Sequence, residues 1–213
     1  MTLTRQEFDK KFWEIWKRDL TDKDYQHPQR TGPIIPKKTP RQHPDEFRDF
    51  LWIVSQNTNK PVVLEIGKGH GQTEKFYREL LNARNYISVD HKPSFNPTVC
   101  GDSTTCEISD KVELLIRQYG GVDILFIDGD HHEMEVRIDY TIYGAMVNPD
   151  GYIALHDISR IYSKTGPGKV WNQIKSLYAN YWEIHYEIDW LPKQLEDGVK
   201  YEQIGIGVVR KSS

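Results

Sequence analysis

Between Pro61 and Asp157 the sequence alternates short runs rich in Val, Ile and Leu with longer amphipathic stretches. The runs are PVVLEI (61–66), YISVD (86–90), a short one near 98–101, VDILFID (122–128) and YIALHD (152–157). Helical patterns over 71–83, 105–119 and 131–147 separate them, and a Pro149-Asp150-Gly151 turn precedes the last. Strands that read as near-continuous apolar runs are covered on both faces, and the helices between them supply the cover. The expectation is a doubly wound α/β sheet, mostly parallel, with its ligand at the carboxyl ends of the strands.

The two ends of the chain depart from this alternation. After a helix over 168–180, YWEIHYEI (181–188) and IGIGVVR (204–210) are strand-like. The stretch between them holds Pro192 and Asp197-Gly198 and reads as a loop, so these two strands pair antiparallel. At the front, Phe8, Phe12, Ile15 and Trp16 form one stripe of a helix over 4–20. That stripe packs on its own domain or, as the runner-up, makes a subunit interface in a homodimer. Tyr25 to Pro44 is rich in proline and carries Arg30, Lys37, Lys38 and Arg41 with no acid, the composition of a linker or of a flap over an anionic ligand. A second helix runs from Pro44 to about Gln56, with Asp45 and Glu46 suiting its first turn. The expected organisation is an N-terminal extension over 1–43, helix and basic loop, followed by a ligand-binding domain over 44–213.

Charge and hydropathy remove several classes. The formal net charge is −3, with 12 Lys/Arg against 9 Asp/Glu up to residue 60 and 16 against 22 thereafter, which opposes bulk electrostatic binding of nucleic acid. No apolar run approaches the roughly 20 residues of a membrane span. The opening MTLTRQEFDKKFWEIW lacks the apolar core of a signal peptide, so a cytoplasmic protein is expected. Cys100 and Cys106 fit no disulfide scaffold or metal pattern and are expected to be buried or inert.

The chemistry starts at Glu65-Ile66-Gly67-Lys68-Gly69-His70-Gly71, where glycines let the backbone approach a ligand and a helix follows. A dinucleotide fingerprint needs its third glycine at position 72, which is Gln72, and no GK[ST] follows. Asp90 ends the second strand about 23 residues beyond Gly67, where a carboxylate receives ribose hydroxyls. Gly101-Asp102-Ser103 ends the third strand and either meets an adenine ring or caps the next helix. The richest segment is Asp128-Gly129-Asp130-His131-His132, whose neighbouring strand ends in His156-Asp157. Carboxylates converging on one edge repel unless a cation or proton joins them, and oxygen ligands with an imidazole suit Mg²⁺, Mn²⁺ or another divalent metal.

Together VLEIGKGHG, SVD, GDS, DILFIDGDHHEMEVRIDYTIYGAMVNPDGYIALHD, GPGKVWNQIK and IGIGVVR resemble a class I S-adenosylmethionine-dependent methyltransferase over about residues 44–210. The segment around Asp128 is similar to the branch of cephalosporin-hydroxylase-like proteins and metal-dependent sugar O-methyltransferases. The resemblance implies a Rossmann-like sheet with an antiparallel C-terminal strand, S-adenosylmethionine as cofactor, and Mg²⁺ or another divalent cation. It implies that Glu65, Gly67, Lys68, Gly69 and Gly71 cradle the methionine part of the cofactor, that Asp90 with His91 beside it binds ribose, and that Asp102 and Ser103 meet adenine. Asp128, adjoining the cofactor, and Asp157 match metal ligands, and Asp130 matches the general base. Where the sugar enzymes carry two acids, this chain has His156-Asp157; an imidazole there either ligates the metal or takes the proton, as His131 also could.

The expected reaction is methyl transfer to a hydroxyl of a small acceptor: a sugar, a nucleotide-linked compound or, from the basic loop, another anionic molecule. Two other classes compete. An NAD-dependent oxidoreductase or epimerase suits the sheet but not Gln72 or the missing Tyr-x-x-x-Lys pair. A non-catalytic cofactor-binding module has no use for a repelling acid cluster.

Overall fold

The computed structural model describes residues 3–18, 42–158, 166–186 and 205–212. The basic Pro-rich stretch and residues 187–204 therefore lie outside the described residues, except for Gln42, His43 and Pro44 at the end of the former. Helices α1 (Arg5–Lys17) and α2 (Pro44–Ser55) lead into β1 (Val62–Ile66), α3 (Glu74–Glu79), β2 (Asn85–Asp90), β3 (Val99–Cys100), α4 (Cys106–Arg117) and β4 (Val122–Ile127). Then follow α5 (Glu133–Ala145), β5 (Val147–His156), α6 (Gly166–Ile174), β6 (Asn180–Ile184) and β7 (Ile206–Arg210). The sheet order is β3-β2-β1-β4-β5-β7-β6. The first five strands are parallel, and β7 runs antiparallel between β5 and β6. This is the expected doubly wound architecture, including the antiparallel pairing at the C-terminal end.

Alternation along each strand divides the core. Leu64, Ile66, Leu125, Ile127 and Leu155 face α4, α5 and α6, while Val63, Ile124, Phe126, Tyr152 and Ala154 face α1, α2 and α3. The stripe read from the first helix is buried inside this second layer rather than offered to a partner. Phe12 meets Phe76 at 5.0 Å between ring centroids and Trp16 at 5.6 Å, and Phe50 stacks on Phe126 at 5.2 Å. A capping box starts α1: the Thr4 hydroxyl accepts from the Glu7 amide, and the Glu7 carboxylate accepts from the Thr4 amide at 2.8 Å. Trp16 and Trp171 are buried, and Trp13, Trp52 and Trp182 pack partly buried against the same layer as α1. Among the described residues no helix is long and apolar enough to cross a membrane.

Several boundaries differ from the sequence reading. The third helix is confined to 74–79, because Gly67 to Gly71 form an extended turn before it. Strand β5 begins at Val147, with an irregular register between Val122 and Ile124 that lets it run through the Pro149-Asp150-Gly151 segment. Helix α6 stops at Ile174 and gives way to a 3-10 turn over 175–177, with the Ser176 hydroxyl bonded back to Gln173 O. Both cysteines are exposed, not buried: Cys100 sits in the two-residue edge strand and Cys106 in the first turn of α4.

Because Phe12 is wholly buried between α2 and α3, Phe12→Ala is expected to lower the unfolding free energy by about 3–5 kcal/mol. Urea denaturation of the whole chain measures this, and a loss below about 1 kcal/mol would show that α1 is not part of the cooperative core.

Candidate active site at the carboxyl edge of the sheet

The turn after β1 is wedged between its neighbours. Gly67 N donates to Val89 O at 2.9 Å, and Asp128 N donates to Ile66 O at 2.8 Å. Gly67 has φ +89°, and a Cβ there would lie 2.1 Å from the carbonyl oxygen of Asp128, so no other residue fits. Gly69 N donates to Asp90 Oδ2 at 2.9 Å, and Lys92 N donates to Oδ1 at 2.9 Å. The Asp90 carboxylate is thereby fixed at the mouth of the turn, and His91 beside it is exposed. Lys68 reaches across to Asn96 O at 2.7 Å, and the His70 ring meets Phe95 edge-on at 4.9 Å. Glu65 stands apart from this open side. It is buried beneath the turn and accepts the Thr73 hydroxyl (2.7 and 2.8 Å) and the Tyr86 hydroxyl. Burial pushes its carboxyl up to about 8 against those hydrogen bonds, so it supports the turn as a neutral acid.

Past β3, Asp102 Oδ1 accepts the Thr104 amide (2.9 Å) and hydroxyl (2.7 Å), which hold its carboxyl below the usual range. This closes an Asx turn into α4. Ser103 is anchored through its carbonyl by the buried Tyr143 hydroxyl at 2.7 Å. Asp139 of α5, which the sequence reading passed over, lies nearly fully buried near Gly129. Burial pushes it to about 7; the Ser103 hydroxyl opposes this, while Asp102, Asp130 and Glu135 reinforce it.

The ends of β4 and β5 bring together Asp128, His131, His156 and Asp157, lining a cleft closed on one side by Pro167. Asp157 turns the chain sharply with φ +59°, a left-handed conformation that aspartate tolerates better than most residues. His156 is buried, and its Nδ1 lies 3.0 Å from Asp128 Oδ1 and 3.3 Å from Asp157 Oδ2. Burial disfavours its cation, but the two carboxylates outweigh that and hold the imidazole well above its ordinary value. In turn His156 and His131 hold Asp157 below the ordinary value, despite burial. Among the described residues the Nε2 of His156 is enclosed without a hydrogen-bond partner, so at the wall of the cleft the ring bridges the two acids through Nδ1. His131 is half-exposed, with Nε2 3.3 Å from Asp157 Oδ2. Asp128, His131 and Asp157 each offer a ligand atom within 4.8 Å of one another, a donor set of two carboxylates and an imidazole that fits a divalent cation. His156, which the sequence reading paired with Asp128 and Asp157, stands beside the same two carboxylates, and His131 joins them. Asp130 stays outside it, half-exposed and bonded to the His132 amide at 2.7 Å.

Two residues of the α2 region that sequence reasoning missed complete the surroundings. Gln42 Nε2 donates to Asp128 Oδ2 at 2.6 Å. Buried Glu46 accepts Tyr186 N at 3.0 Å and Gly205 N at 3.1 Å, and burial pushes its carboxyl up to about 7. Nothing local marks Gln42; the acid in the first turn of α2 was visible only as a helix-dipole signal.

Residues 64–158 match a family model described as a methyltransferase domain. Among solved structures, the MycE methyltransferase from the mycinamycin biosynthetic pathway, in complex with Mg and SAH, is 18% identical with a TM-score of 0.51. That likeness covers 77% of this chain and 48% of MycE, so the chain spans about half the length of that enzyme. The O-methyltransferase TomG from Streptomyces achromogenes, in complex with SAM, is 12% identical with a TM-score of 0.52, over 97% of this chain and 90% of its own. The O-methyltransferase from Bacillus cereus, in complex with SAH, is 13% identical with a TM-score of 0.51, over 81% of this chain and 84% of its own. No curated protein matches the sequence. The family match thus covers residues 64–158, a little under half of the chain, and is a similarity to a methyltransferase domain. The chain's fold is the one these solved structures share.

Glu65, Glu46 and Asp139 keep protons in the fold that they release on unfolding, so their contribution is full below about pH 4 and is lost as pH rises through about 7–8. The unfolding free energy is expected to fall between about pH 4.5 and about pH 8 and to level off above that, with a shallower slope in Glu65→Gln. Urea titrations across that range check it; an equal slope in the variant would refute a protonated Glu65.

Proposed function

We propose that this protein is an S-adenosylmethionine-dependent O-methyltransferase acting on a small hydroxylated acceptor with the help of a divalent cation. The observation that carries the reading is the contact of Gly67 with the backbone of Asp128, which places the glycine cradle directly beside the Asp128–His131–Asp157 group. The three turn glycines have positive φ, and the space beside Gly69 is open for the cofactor's methionine moiety. In this reading Asp90, at the mouth of the turn, would receive the ribose hydroxyls, and Asp102 with Ser103 would meet the adenine edge. When bound, the cofactor supplies a methyl group on an electrophilic sulfonium.

Asp128, His131 and Asp157 would hold the cation, which lowers the pKa of an acceptor hydroxyl. His156 sets the spacing of the two carboxylates from behind. The half-exposed Asp130 carboxylate, outside that group, is the position left to receive the acceptor's proton as the oxygen–carbon bond forms and the carbon–sulfur bond breaks. Alignment of oxygen, methyl and sulfur supplies much of the acceleration. In the same proposal residues 44–213 form the methyltransferase domain and 1–43 an extension whose first helix packs into its core. Support for a small-molecule acceptor comes from MycE, solved with Mg, SAH and mycinamycin VI. The proposal keeps the cytoplasmic setting expected from the sequence.

Calorimetric titration with S-adenosylhomocysteine is expected to give micromolar binding that is lost in Asp90→Ala, with no binding of NAD. Binding of NAD instead would overturn the cofactor assignment. Asp128→Ala is expected to abolish methyl transfer while leaving the melting temperature and far-UV spectrum intact; undiminished turnover would remove Asp128 from the mechanism.

A further inference from the structure

Asp128 is the residue on which both halves of the proposed site converge, and its carboxylate is held from two sides. His156 Nδ1 approaches Oδ1 at 3.0 Å, and Gln42 Nε2 donates to Oδ2 at 2.6 Å. Gln42 lies 86 positions away in sequence and precedes the segment that matches the methyltransferase family. It is 3% exposed, and its amide faces only one way. Nε2 must meet the carboxylate, because two acceptor oxygens would repel; Oε1 is consequently buried with no hydrogen-bond partner among the described residues. A buried orphan oxygen disfavours the fold, and such costs persist at positions that serve a site.

The support behind Gln42 is rigid. Phe47, Phe50 and Leu51 of α2 are fully buried, and Glu46 binds the amides of both Tyr186 and Gly205. His43 stacks on Tyr186 with ring centroids 5.6 Å apart. A carboxylate has about four lone-pair positions, so with one donor on each oxygen the rotation of Asp128 is fixed and positions remain for a further partner.

We infer that Gln42 is a positioning residue: its amide N–H sets the orientation of Asp128, and thereby the affinity of the Asp128–His131–Asp157 group for a divalent cation. The inference rests on the metal-assisted reading above and assigns to the segment before β1 a part in a site otherwise built from strand ends. Removing an outer hydrogen-bond partner of a ligating carboxylate lowers metal affinity roughly 10- to 100-fold.

The test is titration of Mn²⁺ into the whole chain, followed by loss of the free-ion electron paramagnetic resonance signal, with and without S-adenosylhomocysteine. Gln42→Met keeps the length and burial of the side chain but cannot donate. It is expected to weaken Mn²⁺ binding about tenfold or more, with S-adenosylhomocysteine affinity and melting temperature unchanged. On the ¹⁵N-labelled wild-type chain, which needs no variant, Mg²⁺ is expected to shift the Gln42 side-chain amide resonances.

Unchanged Mn²⁺ affinity in Gln42→Met, a parallel loss of cofactor affinity and stability, an unmoved Gln42 resonance, or no Mn²⁺ binding by the wild type would each overturn the inference. Selective loss of Mn²⁺ binding in the variant, in a wild type that fails to bind S-adenosylhomocysteine, would leave it standing while the cofactor reading fell.

Discussion

The arrangement of this site depends on one steric contact, the approach of Gly67 to the carbonyl of Asp128. Strands β1 and β4 are neighbours in the centre of the sheet, and the chain leaves them in turns that press backbone on backbone. A side chain at Gly67 would push these turns apart. Because it has none, the cradle after β1 and the acids after β4 share an edge, and Asp90 and Asp157 reach the same edge from the strands on either side. Whatever binds in the cradle is thus presented to the acid cluster at a spacing set by the strand separation, not by flexible loops.

Electrostatics then sorts the acids by whether a partner lies near them. Asp157 keeps its charge because His156 and His131 face it, and His156 keeps its proton because two carboxylates face it. Glu65, Glu46 and Asp139 sit behind the site, where burial outweighs the pull of Lys68 on Glu65 and of His156 on Glu46, and each is pushed toward neutrality. The outcome is a charged front and a neutral back. Glu65 and Glu46 still accept hydrogen bonds, so they brace the turn after β1 and the ends of β6 and β7 without adding repulsion at the front.

Much of this was legible residue by residue. The apolar runs announced the strands, and the glycines at 67, 69 and 71 announced a close backbone approach. The Asp-Gly-Asp-His run and the strand-ending His156-Asp157 announced a cluster, because strand ends in a parallel sheet share one edge. Other features were not legible. How His131 and His156 share the two carboxylates depends on the burial of His156 and on the left-handed turn at Asp157. Gln42 gave no signal, since one amide after a Pro-rich stretch resembles any other until the fold brings it 2.6 Å from Asp128. The exposure of Cys100 followed from its place in the two-residue edge strand and that of Cys106 from its place in the first turn of α4, which composition does not disclose.

By itself, then, the sequence determined the order of strands and helices, the turn that must be glycine and the inventory of acids and imidazoles at the sheet's edge. These are local matters, governed by periodicity and backbone sterics over a few residues. Only the tertiary structure decided which of those groups are charged, which face the cleft and which residues from outside the alternating segment stand behind them. Burial and charge pairing act through space, between residues as far apart as Gln42 and Asp128 or Glu46 and Gly205, and a linear pattern carries no record of those distances.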